Sequence, residues 1–524
     1  MKRRSFLASS AAVLAAPAIG GAEAAKPVRF VPDADLAFLD PVATTSYQTR
    51  DHGFMVYDTL YGQDDSYAVR PQMAEGHTVE ADGKTWNIKL RDGLKFHDGE
   101  KVLARDAAAS IARWGKRDSF GQSLMAQVEE IAAADDRTIR IRLKAPFPLL
   151  PDALAHYSPS ICPIMPERIA GTDPMKPVTE MVGSGPFRFK ADERVPGSLV
   201  VYEKFKDYAP RNEPASRTAG GKLVNVDRVE WKIIPDTATV ANALIAGEID
   251  WWGTPSTDLL PLLRKNRAVT LPIMVPTGTI ATMRFNQMQP PFDNPAIRRA
   301  IVHAVNQADY MTAVQGEDRT MWSDGVGYFC PTMPMANDAG MAALNGPRSI
   351  DAAKRALEQA GYKGEQVVLL APGDVPYAKI LADVTADLFR RVGLNLDYQA
   401  MDWGTLVQRR AKTDPLDKGG WSVFQTNWTG PDQGNPATHV FLRGNGRQGS
   451  PGWPDMPKME ELRNAWLRAT DLGVQKQIAR DMQSLAFQEV PYIPLGQMIS
   501  PTAHRADITG MVEGQVVFWN MRRG

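Results

Sequence analysis

The sequence predicts an α/β protein of two or three lobes with mixed sheets, carrying a separate α+β piece near its start. Three observations lead there. Strand and helix patterns alternate along most of the chain. One early stretch breaks that order, with short strands on either side of an Ala-rich helix. And about 500 residues exceed what a single core holds, so more than one lobe is required.

The elements follow in order. Thr85 to Leu90 and Thr138 to Leu143 alternate as short strands, with Arg140 and Arg142 on an outward, solvent-facing side. Ala104 to Trp114 between them reads as a helix. Val229-Glu230-Trp231-Lys232-Ile233 has the period of a half-buried strand. Asp236 is a good N-cap for a helix from Thr237 to Ala246, and Gly247 a good stop. Asn294 and Pro295 start another helix as cap and first residue, with Ile297, Ile301, Ala304 and Val305 on its apolar face. Ile380, Val384, Leu388 and Val392 recur every four residues until Gly393, and Leu394, Leu396 and Tyr398 then alternate as a strand. The Gly- and Pro-rich stretches Ala209 to Gly221 and Pro331 to Pro347 read as long surface loops.

The N-terminus is an export signal. Met1-Lys2-Arg3-Arg4-Ser5-Phe6-Leu7 puts charge first, Ala11 to Gly20 is apolar, and Ala22-Glu23-Ala24 offers small residues for cleavage after Ala24. Arg3-Arg4 resembles a twin-arginine signal, an ordinary Sec signal being the alternative. No cysteine follows the cleavage point to carry a lipid anchor, so a periplasmic protein free in solution is expected. Without Lys2, Arg3, Arg4 and Glu23, the 60 basic and 60 acidic residues leave a charge of about −2, which gives no electrostatic pull towards nucleic acid or anionic membrane. Cys162 and Cys330 each precede a proline; a disulfide and two buried thiols are both open.

Catalytic signatures are missing. The seven histidines form no metal-ligand pair at helical spacing. Gly183-Ser184-Gly185 lacks the spacing of a nucleophile elbow, and Gly325-Val326-Gly327 lacks the rest of a phosphate loop. No enzyme activity and no cofactor are expected, and an exported enzyme is the disfavoured reading.

An ordered set of motifs then carries a resemblance. It begins with Leu39-Asp40-Pro41, Tyr57-Asp58-Thr59-Leu60, Pro71-Gln72-Met73-Ala74-Glu75 and Asp82-Gly83-Lys84-Thr85-Trp86. Leu90 to Gly99, Gly183-Ser184-Gly185-Pro186-Phe187, Ile233-Ile234-Pro235-Asp236 and Gly247-Glu248-Ile249-Asp250 follow. Phe285-Asn286, Pro290-Pro291-Phe292, Ile297-Arg298-Arg299-Ala300 and Glu489-Val490-Pro491-Tyr492-Ile493-Pro494 complete it. In this order they resemble the extracellular solute-binding proteins of family 5, the periplasmic components of dipeptide, oligopeptide and nickel ABC importers. The resemblance implies a type II, cluster C-like two-lobe periplasmic-binding-protein clamp with an extra domain. The implied division is a signal peptide at 1–24, a first lobe from 25–58, 181–278 and 495–524, an inserted domain at 59–180 and a second lobe at 279–494. It implies a monomer that closes on a peptide or peptide-like small solute and docks on ABC transporter permease subunits of the inner membrane. A sugar, opine or metal chelate is the alternative solute.

Site residues follow from the same resemblance. Dipeptide-binding members carry a Trp-Thr-Gly-Asp loop whose aspartate pairs with the ligand amine. Trp428, Thr429 and Gly430 match it, and Asp432 aligns if Pro431 is an extra residue. Asp432 is therefore either the partner of a cationic head group or a loop cap. Trp403 matches a position that faces the cleft, and Tyr47 sits where the first lobe meets the ligand. Tyr328 lies near the glycine-rich loop of the second lobe, where Trp322 reads as core. Asn286 ends a strand near the hinge, and Arg319 is a candidate partner for a ligand carboxylate.

Overall fold

The computed structural model describes residues 26–524; the signal and its cleavage point lie outside the described residues. Two mixed sheets form the two lobes. The first has seven strands, ordered Val269–Thr270, Ala503–Arg505, Trp251–Trp252, Val28–Val31, Arg228–Lys232, Leu199–Lys204 and Phe187–Phe189. Val28–Val31 runs parallel to both its neighbours, and the outer pairs are antiparallel. The second has six, ordered Trp322–Ser323, Tyr492–Met498, Thr279–Phe285, Val423–Thr429, Gln366–Pro372 and Asn395–Met401, with Gln366–Pro372 parallel to both neighbours. The expected division at 494/495 falls inside the strand Tyr492–Met498, which belongs whole to the second sheet.

Local chemistry sets the elements where the sequence placed them. Asp236 accepts from the Thr239 amide to cap Thr237–Ala246, and Gly247 stops that helix at φ 76°. Asn294 caps Pro295–Val302 through the Ala296 amide. The helix Pro376–Val392 ends at Gly393 with φ 89°, a conformation that costs glycine little. The early α+β piece is an antiparallel sheet, Ala74–Val79, Thr85–Leu90, Thr138–Leu143 and Val128–Ala133, with the helix Ala104–Trp114 against it. Arg140 and Arg142 point to solvent.

One open alternative is decided and two expectations change. Both cysteines are buried free thiols, each packed in a different apolar cluster. The stretch 209–221 is not all surface, since Arg217, Thr218 and Ala219 are buried, with Thr218 accepting from the Gln63 amide and Arg217 stacked over Tyr67. Within 331–347, Met335, Met341 and Leu344 turn inward and a short helix, Ala342–Asn345, forms.

Two buried ion pairs brace the first lobe where the inserted piece meets it, Arg113–Asp40 joining the two and Lys222–Asp58 lying within the first lobe at the seam. Arg113 lies 2.8 Å from Asp40, with both side chains inaccessible and Asp40 also accepting from the Val178 amide. Lys222 lies 2.7 Å from Asp58, which accepts from Tyr208 and Gln72 as well. Burial pushes the Asp58 carboxyl up, but Lys222 and these donors outweigh it and hold it below the usual range. The motif residues Asp40 and Asp58 are thus anchors for the scaffold.

The chain crosses between the lobes twice, at 271–278 and 499–502. At the first crossing Gly278 has φ 56°, and a Cβ there would sit 2.2 Å from the Met498 carbonyl oxygen. The two crossing segments touch through that glycine.

Lys222→Met leaves Asp58 as a buried, uncompensated charge. We expect a loss of about 3–5 kcal/mol in urea denaturation, with Asp58→Asn in the same chain recovering most of it.

Candidate functional site

The two sheets face each other across a cleft of about 850 Å³, within the range that holds small ligands. The first lobe contributes the ends of its central strands, with Phe30, Asp33, Trp231, Trp251 and Trp252. The second contributes Tyr377, Trp403, Arg410 and Trp428. The wall is aromatic because rings supply large contact area together with a polar edge. Trp251 is held in place by its indole N–H, which donates to Thr502 Oγ1 at 2.6 Å.

The lobes are joined along both rims. On one, the Tyr47 hydroxyl donates to Asp432 Oδ2 at 2.5 Å and accepts from the Thr429 amide at 2.7 Å. Ser158, from the inserted piece, donates to the same carboxylate oxygen at 3.1 Å. Arg50 stacks over the Tyr47 ring at 4.3 Å and donates to Ser158 Oγ at 2.9 Å. On the other rim, Thr257 of the first lobe meets Gln315 of the second at 3.0 Å.

The helix Tyr47–Val56 explains the first rim. Tyr47, Arg50, Asp51 and Phe54 recur at i, i+3, i+4 and i+7 and share one face. That face carries charge into the interior. Asp51 pairs with Arg50 at 2.7 Å, and its carboxyl is pushed up to about 6 by burial, with Arg50 opposing. The helix Trp403–Arg410 repeats the device. Trp403, Leu406, Val407 and Arg410 are its buried positions, so an arginine stands where an apolar residue belongs.

Arg410 has no carboxylate partner among the described residues. Its longest-range support is Thr45 Oγ1 at 3.5 Å and the faces of Trp403 and Phe424 at 5.7 and 5.4 Å. Burial lowers its value to about 10, with Tyr377 opposing. Asp33 is its counterpart. It lines the cleft from the first lobe and is exposed there. Its single side-chain partner is Thr254, whose hydroxyl donates at 3.2 Å. Burial pushes its carboxyl up to about 6; Thr254 and Arg50 lower it and Asp51 raises it.

Of the residues expected in the site, Tyr47, Trp403, Trp428 and Thr429 line the cleft. The others do not, each for a physical reason. Asp432 is buried, and its Oδ2 is filled by Tyr47, Ser158 and both donors of Thr429. It caps the turn Gly430–Gln433, and its Oδ1 is buried with no hydrogen-bond partner. Gly430 lies behind the wall, where a Cβ would meet Thr277 at 2.5 Å. Asn286 binds the Trp421 carbonyl and turns the chain at its own strand end. Tyr328 is core, its hydroxyl donating to the Ala486 and Tyr492 carbonyls. Arg319 is exposed, paired with Asp324 and stacked on Trp322.

Sequence reasoning missed Asp33, Arg50, Asp51, Tyr377 and Arg410. The signals existed. Asp33 follows the strand Val28–Val31 at its carboxyl end, where open α/β sheets take their ligands. Arg50, Asp51 and Arg410 are charges at inward helical positions.

Comparison with known proteins places this geometry. Residues 68–449 match the model of bacterial extracellular solute-binding proteins, family 5 middle. A probable peptide ABC transporter periplasmic-binding protein of Sinorhizobium fredii is 38% identical over 492 residues, covering 93% of this chain and 92% of the relative. A glutathione-binding protein of Pectobacterium atrosepticum is 26% identical, covering 95% of each chain. Among solved structures, the binding protein AgaA of Agrobacterium in complex with agropinic acid superposes with TM-score 0.79 at 22% identity, covering 95% of this chain and 99% of that one. A Pseudoalteromonas dipeptide-binding protein in complex with Met-Leu does so with TM-score 0.78 at 21% identity, covering 95% and 100%. With the family model spanning most of the chain and the two-sheet clamp built around one cleft, this protein belongs to the bacterial extracellular solute-binding proteins of family 5.

Proposed function

We propose that this chain is the periplasmic substrate-binding component of an ABC importer, which closes on a peptide or peptide-like solute and delivers it to a membrane permease. The observation that carries the reading is the cleft itself. It is large enough for a small solute, it is walled by both lobes, and hydrogen bonds cross both of its rims. A ligand touching both walls shifts the population towards the closed form, and one touching a single wall does not. The peptide and glutathione relatives support a solute with ammonium and carboxylate groups.

The chain makes and breaks no bonds in this role. Among the described residues no cluster of three or more His, Cys, Asp or Glu has a metal-holding arrangement, and no helix is long and apolar enough to cross a membrane. His97 illustrates the point. Its Nε2 meets the Gly185 carbonyl and its Nδ1 the Gly183 amide, so the ring ties the inserted piece to the first lobe. Burial lowers it to about 4, keeping it neutral. The agropinic acid complex supports a second reading with the same role, in which the solute is an opine.

A thermal-shift panel of dipeptides, tripeptides, amino acids, opines and neutral sugars tests the solute. A ligand at 100 times its Kd is expected to add about 2.7 kcal/mol. A shift with sugars and none with peptides or opines would sink the zwitterion reading. Tyr47→Phe removes the hydroxyl that bridges Thr429 and Asp432, worth about 1 kcal/mol. Titration calorimetry should then show about a fivefold uniform loss of affinity, with ligand preferences unchanged.

A further inference from the structure

The cleft contains more charge than its aromatic wall suggests, and the charges are not all spoken for. Each carboxylate in or beside it can be followed to its partners. Asp51 is paired with Arg50. Asp374 accepts from the Trp403 amide at 2.8 Å. Asp432 is saturated on one oxygen and sealed on the other. Asp258, Glu317 and Asp318 sit at the exposed mouth, where water solvates them. Asp33, from the first lobe, is exposed to the cleft beyond the carboxyl end of a central strand and stands in no ion pair among the described residues. The same census of the guanidinium groups leaves Arg410. Arg50 is paired, Arg264 is exposed at the mouth, and Arg410 is 7% exposed with only a long contact to Thr45.

A buried guanidinium without a partner is costly, and a ligand that closes over an exposed carboxylate strips its water, so opposite charges on the ligand offset both costs. Asp33 comes from the first lobe and Arg410 from the second, with Tyr377 within electrostatic reach of both. We propose that Asp33, and not Asp432, binds the cationic group of the solute, and that Arg410 binds its anionic group. The ligand class is a small zwitterion with an ammonium and a carboxylate. A guanidinium takes a carboxylate through two parallel N–H donors, and Thr254 already orients one oxygen of Asp33. The proposal rests on the solute-binding reading and deepens it.

The charge state of Asp33 gives the binding a pH dependence of known sign. The groups facing it are Asp51 and Arg50 from the helix Tyr47–Val56, Thr254 beyond the strand Trp251–Trp252, and Tyr377 from the helix Pro376–Val392. Its carboxyl lies at about 6 when folded and near 4 when unfolded. The folded chain therefore holds the proton more tightly. This contribution to stability is full below pH 4 and is lost as pH rises through 6. Ammonium binding needs the ionised form, so it tightens over the same rise and releases a proton.

The test is titration calorimetry of the mature protein with a dipeptide panel led by Leu-Leu, alongside N-acetyl-Leu-Leu and Leu-Leu amide. Wild type is expected to prefer Leu-Leu over either blocked form by about thirtyfold or more, the size of losing one partner of an enclosed charge pair. Asp33→Asn should abolish the preference over the acetylated form, and Arg410→Gln the preference over the amide. Asp432→Asn should weaken all three alike. In the empty protein, Asp33→Asn should raise Tm at pH 7 and leave it unchanged at pH 4. The assignment is overturned if Asp33→Asn keeps the amine preference, if Asp432→Asn erases it, or if the pH 7 rise in Tm is absent; the solute-binding role survives each of these. A neutral sugar binding where no zwitterion does overturns the assignment and the peptide solute together, and leaves the carrier role standing. Failure of every solute to bind overturns both.

Discussion

The Tyr47 hydroxyl stands between two lobes and completes both. It donates to Asp432 and accepts from the Thr429 amide, so one oxygen satisfies a carboxylate and a backbone donor that belong to the opposite wall. Ser158 and Arg50 hold this oxygen in register: Arg50 stacks on the tyrosine ring and grips Ser158, which reaches the same carboxylate. The inserted piece is thereby part of the closure, although it adds no strand to either lobe sheet.

Asp432, the residue expected to meet a ligand amine, is engaged within its own loop. Pro431 stands inside the short turn Gly430–Gln433, with Thr429 and Asp432 capping one another. A carboxylate that caps its own turn has spent its acceptor on the backbone. The cation-binding capacity of the cleft then falls to the first lobe, at the carboxyl end of a strand that is parallel to both neighbours. In the proposed role, the charge that recognises a solute has moved from one jaw to the other.

Much of the scaffold was legible because local chemistry decides it. Asp236, Gly247, Asn294 and Gly393 each determine a helix end by a side-chain hydrogen bond or a positive φ, and no distant contact overrules them. The alternating strands at Thr85–Leu90 and Thr138–Leu143 have one buried face and one solvated face, which is a pattern any sheet would show. The site was less legible because it is made by long-range meetings. Nothing near Asp432 announces that Tyr47, 385 positions earlier, fills its oxygen. Tyr328 and Asn286 carry polar atoms that look available, yet carbonyls far along the chain satisfy them. Arg410 and Asp51 were visible only to a reading that asks why a charge sits on the inward stripe of an amphipathic helix.

The rim hydrogen bonds have one further consequence. Every group in them is one that water can serve equally well, and exchanging such a bond for hydration changes free energy by only about 1 kcal/mol. The bare Oδ1 of Asp432 even gains when the rims part, since it is sealed and unpartnered while they are joined. The empty clamp consequently has little reason to remain shut. In the proposed role cargo is what holds it closed, so the closed outline presented to a membrane partner would double as a report of occupancy, and a carrier with nothing aboard would withdraw its own signal.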